Sequence, residues 1–431
     1  CHRTSDPSSL SWVQCTNIRA VVFPVLKLKG SPMSEPQPLP QPASAAWGAV
    51  FSMTLGVFGL VTAEFLPVSL LTPIARDLQV SEGLAGQAIS TTAIFALITS
   101  LLIATVTRRF DRRHVLLSFS VLLILSSIIV SMAENFAFLL VGRILLGVAL
   151  GGFWAMSAAT VMRLVPATDI PRALAIMFSG VSAATVFAAP VGSYLGDIMS
   201  WRSVFLLTAG IGALTFIAQF ATLPSLPPRG RATLRVLVDL VQRPGMKLGL
   251  FSLVLIITGH FALFTYVRPF LENVTGVATA GVSGVLLGFG LANFLGTYLA
   301  GSLISRSLRM TIALMPMIMG LCALGMVGID GALNPTIVLV AIWGMAFGGV
   351  PVAWSTWITR TVPDEAESGG GLFVAGFQTA IASGAVIGGV IFDYVGSLGV
   401  FSIGGIILVG AAIFATVVLR SPAVTPATEQ A

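Results

Sequence analysis

The chain of 431 residues is 56% hydrophobic and only 9% charged, whereas a typical soluble domain is about 25% charged. This composition excludes a soluble globular protein and indicates a membrane protein. The net charge of +6 does not indicate nucleic-acid binding, because the basic residues are concentrated in short loops between apolar runs.

Twelve apolar runs predict twelve transmembrane helices, since about 20 apolar residues are needed to cross a hydrocarbon core about 30 Å thick. The runs are continuous, which excludes an outer-membrane barrel, whose strands have about 10 residues of alternating polarity. In chain order the runs cover about residues 48–71, 84–107, 115–132, 136–159, 173–196, 204–221, 246–269, 282–303, 310–329, 335–356, 370–392 and 400–419.

The runs form two groups separated by a connector rich in proline and arginine. We therefore predict an all-α membrane protein with two six-helix bundles, at 47–222 and 246–420, joined by a cytoplasmic linker at 223–245. Residues 1–46 and 421–431 are predicted to be cytoplasmic segments. Because residues 1–32 begin with Cys1 and precede a natural-looking start at Met33, our hypothesis is that they are an upstream translation artefact.

A repeated stretch indicates that the two groups are related halves of one fold. GRILLGVALGGFWAMSAATVMRLVP at 142–166 is echoed by VAIWGMAFGGVPVAWSTWITRTVP at 340–363. Arg143 has no counterpart, because Val340 occupies the equivalent position. The offset is a constant 197 residues for Ala149, Gly151, Gly152, Arg163, Val165 and Pro166, which recur as Ala346, Gly348, Gly349, Arg360, Val362 and Pro363.

The loop charges predict the orientation of the bundle, because cytoplasmic loops carry an excess of lysine and arginine. With the N-terminus inside, only Arg76, Arg202 and Arg268 lie on the outer side. Both termini are therefore predicted to lie in the cytoplasm, at a bacterial inner membrane. The inner side holds Arg108, Arg109, Arg112, Arg113, Arg163, Arg172, Arg229, Arg231, Arg235, Arg243, Lys247, Arg306, Arg309 and Arg360.

Five stretches resemble the major facilitator superfamily, and in particular its twelve-span, proton-coupled efflux branch. They are TAEFLPVSLLTPIARDLQVSEGLAGQ, RFDRRHVL, GRILLGVALGG, AAPVGSYLGD and SWRSVF. The resemblance implies pseudo-symmetric bundles that rock around a midplane site and use a proton gradient rather than a cofactor. It also implies gating roles for Asp111, Arg112, Arg113, Pro190 and Gly192. Pro190 itself is expected to break span five, either as a bend that helps to close one face or as a simple packing kink.

Shorter stretches resemble, more narrowly, the exporters of purine ribonucleosides within that superfamily. They include EFLPVSLLTP, LGVALGGFWAMSA, MRLVP, LPSLP, RPG, FTYVRP and PVAWSTWITR. An inosine-like substrate exported by proton antiport is therefore implied, and the alternative is another small solute, such as a sugar, an amino acid derivative or a drug. The loop motif departs from the family pattern, because Arg108 and Arg109 stand where it opens with glycine and an acid.

Three titratable residues inside predicted spans are candidates for proton coupling. Glu64 in span one and Arg143 in span four both lie about 10 Å below the outer surface, at 1.5 Å per helical residue. Charges in membrane helices usually pair or line a cavity. We expect Glu64 to be the protonation site and Arg143 to adjust it, with a static ion pair as the alternative. His260 could carry the proton or simply pack through a hydrogen bond.

Aromatic and hydroxyl side chains on spans four and ten are candidates for substrate binding. A nucleoside offers a flat base for stacking and a ribose for hydrogen bonds, and these residue types suit both. Each could instead anchor at the interface or join helices. The predicted set is Trp154, Ser157, Trp354, Ser355 and Trp357, with Tyr266, Asn293 and Gln378 from spans seven, eight and eleven.

Other function classes are disfavoured by the residues present. The only histidines are His2, His114 and His260, and the sequence has no metal-ligand cluster or nucleophile elbow, so an intramembrane enzyme is not expected. A channel would need a ring of charge, and coupling to ATP would need a phosphate-binding loop. The expected partners are a small-molecule substrate, protons and the lipid bilayer, with no obligatory protein partner.

Overall fold

A computed structural model describes residues 45–227, 234–329 and 331–418, and these ranges contain helices but no strand. The hypothesis on residues 1–32 and the predicted tail at 421–431 lie outside the described residues. The first seven helices are α1 (Trp47–Ser69), α2 (Leu71–Asp77), α3 (Glu82–Val106), α4 (Arg112–Ser131), α5 (Phe136–Leu164), α6 (Ile170–Ile198) and α7 (Trp201–Thr222).

The remaining helices begin in the connector and continue to the end of the described chain. They are α8 (Leu234–Gln242), α9 (Met246–Thr265), α10 (Val267–Asn273), α11 (Thr279–Arg306), α12 (Leu308–Gly328), α13 (Leu333–Thr361) and α14 (Ala366–Val418). Eleven helices of the described chain are long and apolar enough to cross a membrane. The last is interrupted at Gly396, whose φ of 75° is a left-handed conformation that favours glycine, so it supplies two spans. The predicted twelve spans are therefore present.

Local structure differs from the sequence-based expectation in three places. Pro190 does not break its span, because α6 runs without interruption from Ile170 to Ile198. Spans one and seven end earlier than predicted, at Ser69 and Thr265, and each is followed by a separate seven-residue helix. The connector also contains the short helix α8, which its proline and arginine content did not indicate.

The repeated glycines pack helices together in the same way in both halves. A Cβ on Gly151 of α5 would lie 2.0 Å from the carbonyl oxygen of Ala96 in α3. In the second half, a Cβ on Gly348 of α13 would lie 2.0 Å from the carbonyl oxygen of Asn293 in α11. Backbones can approach this closely only where side chains are absent. The glycines of the repeat thus fix one helix contact that occurs twice.

Basic side chains are concentrated at one end of the helices, here called the basic end, which includes Arg108, Arg163, Arg306 and Arg360. The other end, here called the opposite end, carries Arg76, Arg202 and Arg268. Five hydrogen bonds that join the two halves lie at the opposite end. Their partners are Ser81 with Asp393, Gly83 with Asp393, Tyr266 with Gly83, and Arg268 with Ser69 and Ser193.

We predict that Gly151→Ala and Gly348→Ala each destabilise the protein by about 1–3 kcal/mol, because each new methyl group meets a backbone carbonyl that cannot rotate away. Thermal unfolding in detergent measures the effect. Gly410→Ala is the matched control, since a Cβ there meets nothing within 4 Å and alanine favours the helix. Equal unfolding midpoints for all three variants would contradict the prediction.

Candidate functional site

Arg143 is buried in the N-terminal half, where its guanidinium donates to backbone carbonyl groups of two other helices. Its Nε lies 3.1 Å from the oxygen of Ala88 in α3. Its Nη1 and Nη2 lie 2.8 Å and 3.2 Å from the carbonyl oxygens of Ala63 and Glu64 in α1. With only 1% of its surface exposed, the arginine ties α5 to both neighbours. The two residues predicted to lie at one depth are indeed adjacent.

The Glu64 carboxylate is buried beside Arg143 but does not form a close ion pair with it. The close ion pairs among the described residues join Arg202 to Asp77, Arg243 to Asp364, and Arg268 to Glu272. Arg143 acts on Glu64 through charge at longer range, and Oε1 of Glu64 has no hydrogen-bond partner. This arrangement differs from the static ion pair considered as the alternative.

Gln378 of α14 is the contribution of the C-terminal half to this site. Its side chain interacts with the carboxylate of Glu64, and its own Oε1 is buried without a hydrogen-bond partner. The sequence placed Gln378 among the substrate-binding residues, whereas the structure places it against the candidate proton carrier. A polar contact therefore crosses between the halves at Glu64.

His260 of α9 is fully buried in a group of aromatic rings in the C-terminal half. Trp343 Nε1 donates to His260 Nδ1 at 3.1 Å, and the imidazole stacks on Phe347 with ring centroids 3.4 Å apart. Since Nδ1 accepts, a neutral His260 carries its proton on Nε2, which has no partner. The surrounding rings include Phe261, Phe264 and Phe289. This is the hydrogen-bonded packing that the sequence analysis kept as the alternative to proton transfer.

The tryptophan and serine candidates lie in different surroundings. Trp154 of α5 is half-buried and stacks on Phe178 of α6 with centroids 6.1 Å apart. Ser157, one turn further, is buried with no partner for its hydroxyl oxygen. In α13, Trp354 is buried and packs edge-on against Trp357 at 5.3 Å, while Ser355 is exposed.

Three further candidates serve helix contacts in the structure. Trp357 packs on Gly249 of α9, where a Cβ would lie 2.0 Å from its ring. Asn293 Nδ2 donates to the carbonyl oxygen of Gly344 at 3.3 Å and joins α11 to α13. The hydroxyl of Tyr266 lies 3.2 Å from the carbonyl oxygen of Gly83, at the opposite end and in contact with the other half. Each of these three residues therefore lies at a contact between helices.

Comparison with known proteins identifies the family. The sequence profile described as Major Facilitator Superfamily matches residues 53–384. The chain belongs to the major facilitator superfamily. It is 44% identical over 377 residues to the purine ribonucleoside efflux pump NepI of Salmonella paratyphi B, covering 87% of this chain and 95% of that protein. The NepI of Salmonella enteritidis is 43% identical over 380 residues, with 88% and 95% covered.

Solved structures of low sequence identity share the superfamily fold. A bacterial homologue of the human lysosomal transporter Spinster, in an inward-facing and unoccupied conformation, aligns with a TM-score of 0.68 at 14% identity. That alignment covers 86% of this chain and 95% of the homologue. A D-xylose–proton symporter aligns with a TM-score of 0.69 at 17% identity, over 86% and 96% of the two chains. Its superfamily and its similarity to efflux pumps make the protein a multi-pass membrane transporter rather than an enzyme.

The first loop motif of this superfamily member holds the start of the connector. Asp111 precedes α4 and accepts hydrogen bonds from the amide of Arg113 at 2.8 Å, the amide of Leu226 at 2.9 Å and the hydroxyl of Ser225. Burial alone would raise the pKa of Asp111, but these hydrogen bonds outweigh it and lower the pKa. Although the loop departs from the family pattern, its acid Asp111 thus holds the start of the connector through hydrogen bonds.

The other predicted gating residues also make close contacts. Arg112 donates to the hydroxyl of Thr107 at 2.8 Å, and Arg113 donates to the carbonyl oxygen of Phe220 at 2.8 Å. Pro190 is buried within α6, and a Cβ on Gly192 would lie 2.6 Å from Leu66 of α1. Gly192 therefore lies where α6 packs tightly on α1.

Two features of the site were missed by sequence reasoning. Trp343 looked like any other aromatic residue of an apolar run, and only the fold shows its hydrogen bond to His260. Asp393 was not among the predicted site residues, and its contacts with Ser81 and Gly83 of the other half were not foreseen. For Asp393 the available signal was an acid at the end of an otherwise apolar span.

We predict that Arg143→Lys lowers stability in detergent by about 1–3 kcal/mol, since an ammonium group cannot reproduce the planar fork that reaches three carbonyl oxygens. Chemical unfolding monitored by tryptophan fluorescence gives the free energy. Arg108→Lys, in an exposed loop, is the control and is expected to be neutral. A neutral Arg143→Lys would show that the guanidinium geometry is unimportant.

We predict that Asp111→Ala speeds hydrogen exchange at the start of the connector, because the amide of Leu226 loses its acceptor. In the native protein the protection is present above the ordinary aspartate pKa and is lost as pH falls through the lowered pKa. Exchange at residues 223–227, followed by mass spectrometry, measures both effects. Asp169→Ala is the control, as no hydrogen bond to that carboxylate is found in the described part of the chain. Unchanged exchange in Asp111→Ala would contradict the assigned contact.

Proposed function

We propose that the protein is a secondary active exporter of purine ribonucleosides that exchanges outward inosine-like substrate for inward protons. The observation that carries this proposal is the buried Glu64, which lies beside Arg143 of its own half and Gln378 of the other half. The substrate class is supported by 44% identity to a purine ribonucleoside efflux pump over 95% of that protein.

Glu64 suits a carrier of protons because its two charge states differ in cost within an apolar bundle. An ionised carboxylate is costly there, and the nearby Arg143 offsets part of that cost. Since the guanidinium is bonded to backbone carbonyl groups rather than to Oε1, the carboxylate stays free to take up a proton. Protonation of Glu64 would then change its interaction with Gln378, and this change would couple the charge of Glu64 to the other half.

The aromatic surfaces provide the proposed substrate contacts. In the N-terminal half, Trp154 and Phe178 form a stacked, partly exposed pair, and the buried hydroxyl of Ser157 has no hydrogen-bond partner. A purine base can stack on such a face, and a ribose hydroxyl can bond to such a serine. Trp354 of α13, which stands at the repeat position of Ser157, is the proposed aromatic contact in the C-terminal half.

The basic end is proposed to face the cytoplasm of a bacterial cell, with the protein in the inner membrane and both termini inside. The support is the excess of arginine at that end over the opposite end. In this orientation, the bonded opposite end is the outer gate, and substrate enters from the basic end.

We predict that inverted vesicles accumulate labelled inosine when their interior is acid, and that Glu64→Gln lowers this accumulation at least tenfold. Glutamine keeps the shape of the side chain but cannot carry a proton. Exchange of labelled for unlabelled inosine across the same membranes should survive in the variant, since exchange needs substrate binding but no net proton transfer.

Glu134→Gln serves as the control, because Glu134 is an exposed acid in the loop between α4 and α5. Full proton-driven accumulation in Glu64→Gln would refute the proton role. Lack of inosine transport by the native protein, together with proton-driven transport of a sugar, an amino acid derivative or a drug, would replace the proposed substrate and retain the mechanism.

A further inference from the structure

Asp393 lies at the opposite end, three residues before the interruption of α14 at Gly396, and faces the start of α3 in the other half. Its Oδ2 accepts a hydrogen bond from the hydroxyl of Ser81 at 3.0 Å. Its Oδ1 accepts a hydrogen bond from the backbone amide of Gly83 at 3.2 Å. One carboxylate from the C-terminal half therefore accepts hydrogen bonds from two groups at the start of α3 in the N-terminal half.

The contacts of Asp393 complete the cap of α3. Ser81 is the N-cap residue, and its hydroxyl oxygen accepts from the amide of Leu84 at 3.0 Å while its hydrogen is donated to Asp393. The amide of Gly83 is another first-turn donor that has no partner within the helix. A carboxylate at this place also faces the positive end of the helix dipole.

We propose that Asp393 is a positioning residue for transport, which holds the opposite end closed by capping α3 across the two halves. The proposal rests on the proposed alternating-access export, because a cap shared between halves exists only while this end is closed. When the end opens, the first turn of α3 loses one acceptor and Ser81 loses its hydrogen-bond acceptor. Asp393 therefore favours the state in which substrate reaches its site from the basic end.

The surrounding packing shows that the two helices are shaped for this contact. A Cβ on Gly83 would lie 2.4 Å from the Asp393 carboxylate, and a Cβ on Gly86 would lie 2.1 Å from the hydroxyl oxygen of Tyr266. That hydroxyl can donate to the carbonyl oxygen of Gly83 or to that of Ala385. Small residues on α3 thus allow Asp393 and Tyr266 to reach its backbone.

The repeat supplies a matched comparison for Asp393. Asp197 stands 196 residues earlier, at the same end of the equivalent helix α6. Asp197 is exposed, and no hydrogen bond or ion pair of its carboxylate is found in the described residues. The same residue type at the same fold position is thus bonded across the halves in one case only, so removing each carboxylate separates the cap from a general effect of charge.

The test measures the opening of the opposite end directly. Spin labels at Met199→Cys and Asn273→Cys, in a cysteine-free background, place one exposed reporter on each half at this end. Each state gives its own distance between the labels, and we expect Asp393→Ala to raise the ratio of the open population to the closed population about tenfold, equivalent to ~1.4 kcal/mol. Asp393→Asn, which keeps an acceptor for the amide of Gly83, should give an intermediate ratio, and Asp197→Ala should leave it unchanged.

Transport gives a second readout that a merely structural role would not move. If the state open at the basic end becomes less populated, the apparent affinity for substrate at that end falls in proportion. We therefore expect Asp393→Ala to raise the KM for inosine in inverted vesicles several-fold. The KM of Asp393→Asn should lie between those of the native protein and Asp393→Ala. Exchange at saturating inosine should fall by a smaller factor.

Unchanged distances in both Asp393 variants, or an equal shift in Asp197→Ala, would overturn the proposal. If Asp393→Ala does not fold, Asp393→Asn decides the question alone by the same distance ratio. The spin-label measurement does not depend on the substrate. A native protein that fails to transport inosine but shows the Asp393 shift would refute the proposed substrate and support the cap.

Discussion

The burial of one arginine in an apolar bundle is the constraint on which the arrangement of the N-terminal half depends. A charge at membrane depth costs at least about 2.5–3.5 kcal/mol on insertion scales unless its surroundings compensate. Arg143 is compensated by carbonyl groups of α1 and α3 rather than by a close carboxylate. Three helices must therefore keep their register around one guanidinium, and Glu64 is positioned beside it as a result. Its Oε1 has no hydrogen-bond partner, so this oxygen is not part of the hydrogen-bonded framework around Arg143.

The two halves share their helix packing but not their chemistry. Gly151 and Gly348 form the same close contact with a neighbouring backbone, which explains why the repeat preserves both. At the position equivalent to Arg143 stands Val340, and Trp343 lies one turn further along α13. His260, at an offset of 196 residues from Glu64, accepts the hydrogen bond from that tryptophan. A neutral pair thus occupies, in one half, the place that the charged residues occupy in the other.

Several parts of this arrangement could be predicted from the sequence because they depend on long patterns or strong penalties. Apolar length determines the number of spans, and the cost of burying charge brings Glu64 and Arg143 together. Features that depend on tertiary contacts could not be predicted. Tyr266 was expected among substrate residues, yet its hydroxyl bonds to Gly83 of the other half. Pro190 was expected to break a helix, but α6 continues through it, in keeping with the tolerance of membrane helices for proline.

An asymmetric distribution of polar contacts over a symmetric scaffold has a consequence for alternating access. If both ends were held by equivalent bonds, the two states would have similar free energies, and substrate or proton binding alone would select between them. Here five hydrogen bonds between the halves lie at the opposite end. Opening that end must break these hydrogen bonds. The free energy lost must be offset by substrate or protons that bind more tightly to the open state. Glu64 and Gln378 also meet between the halves, and in the proposed function a change in the charge of Glu64 supplies that difference in binding.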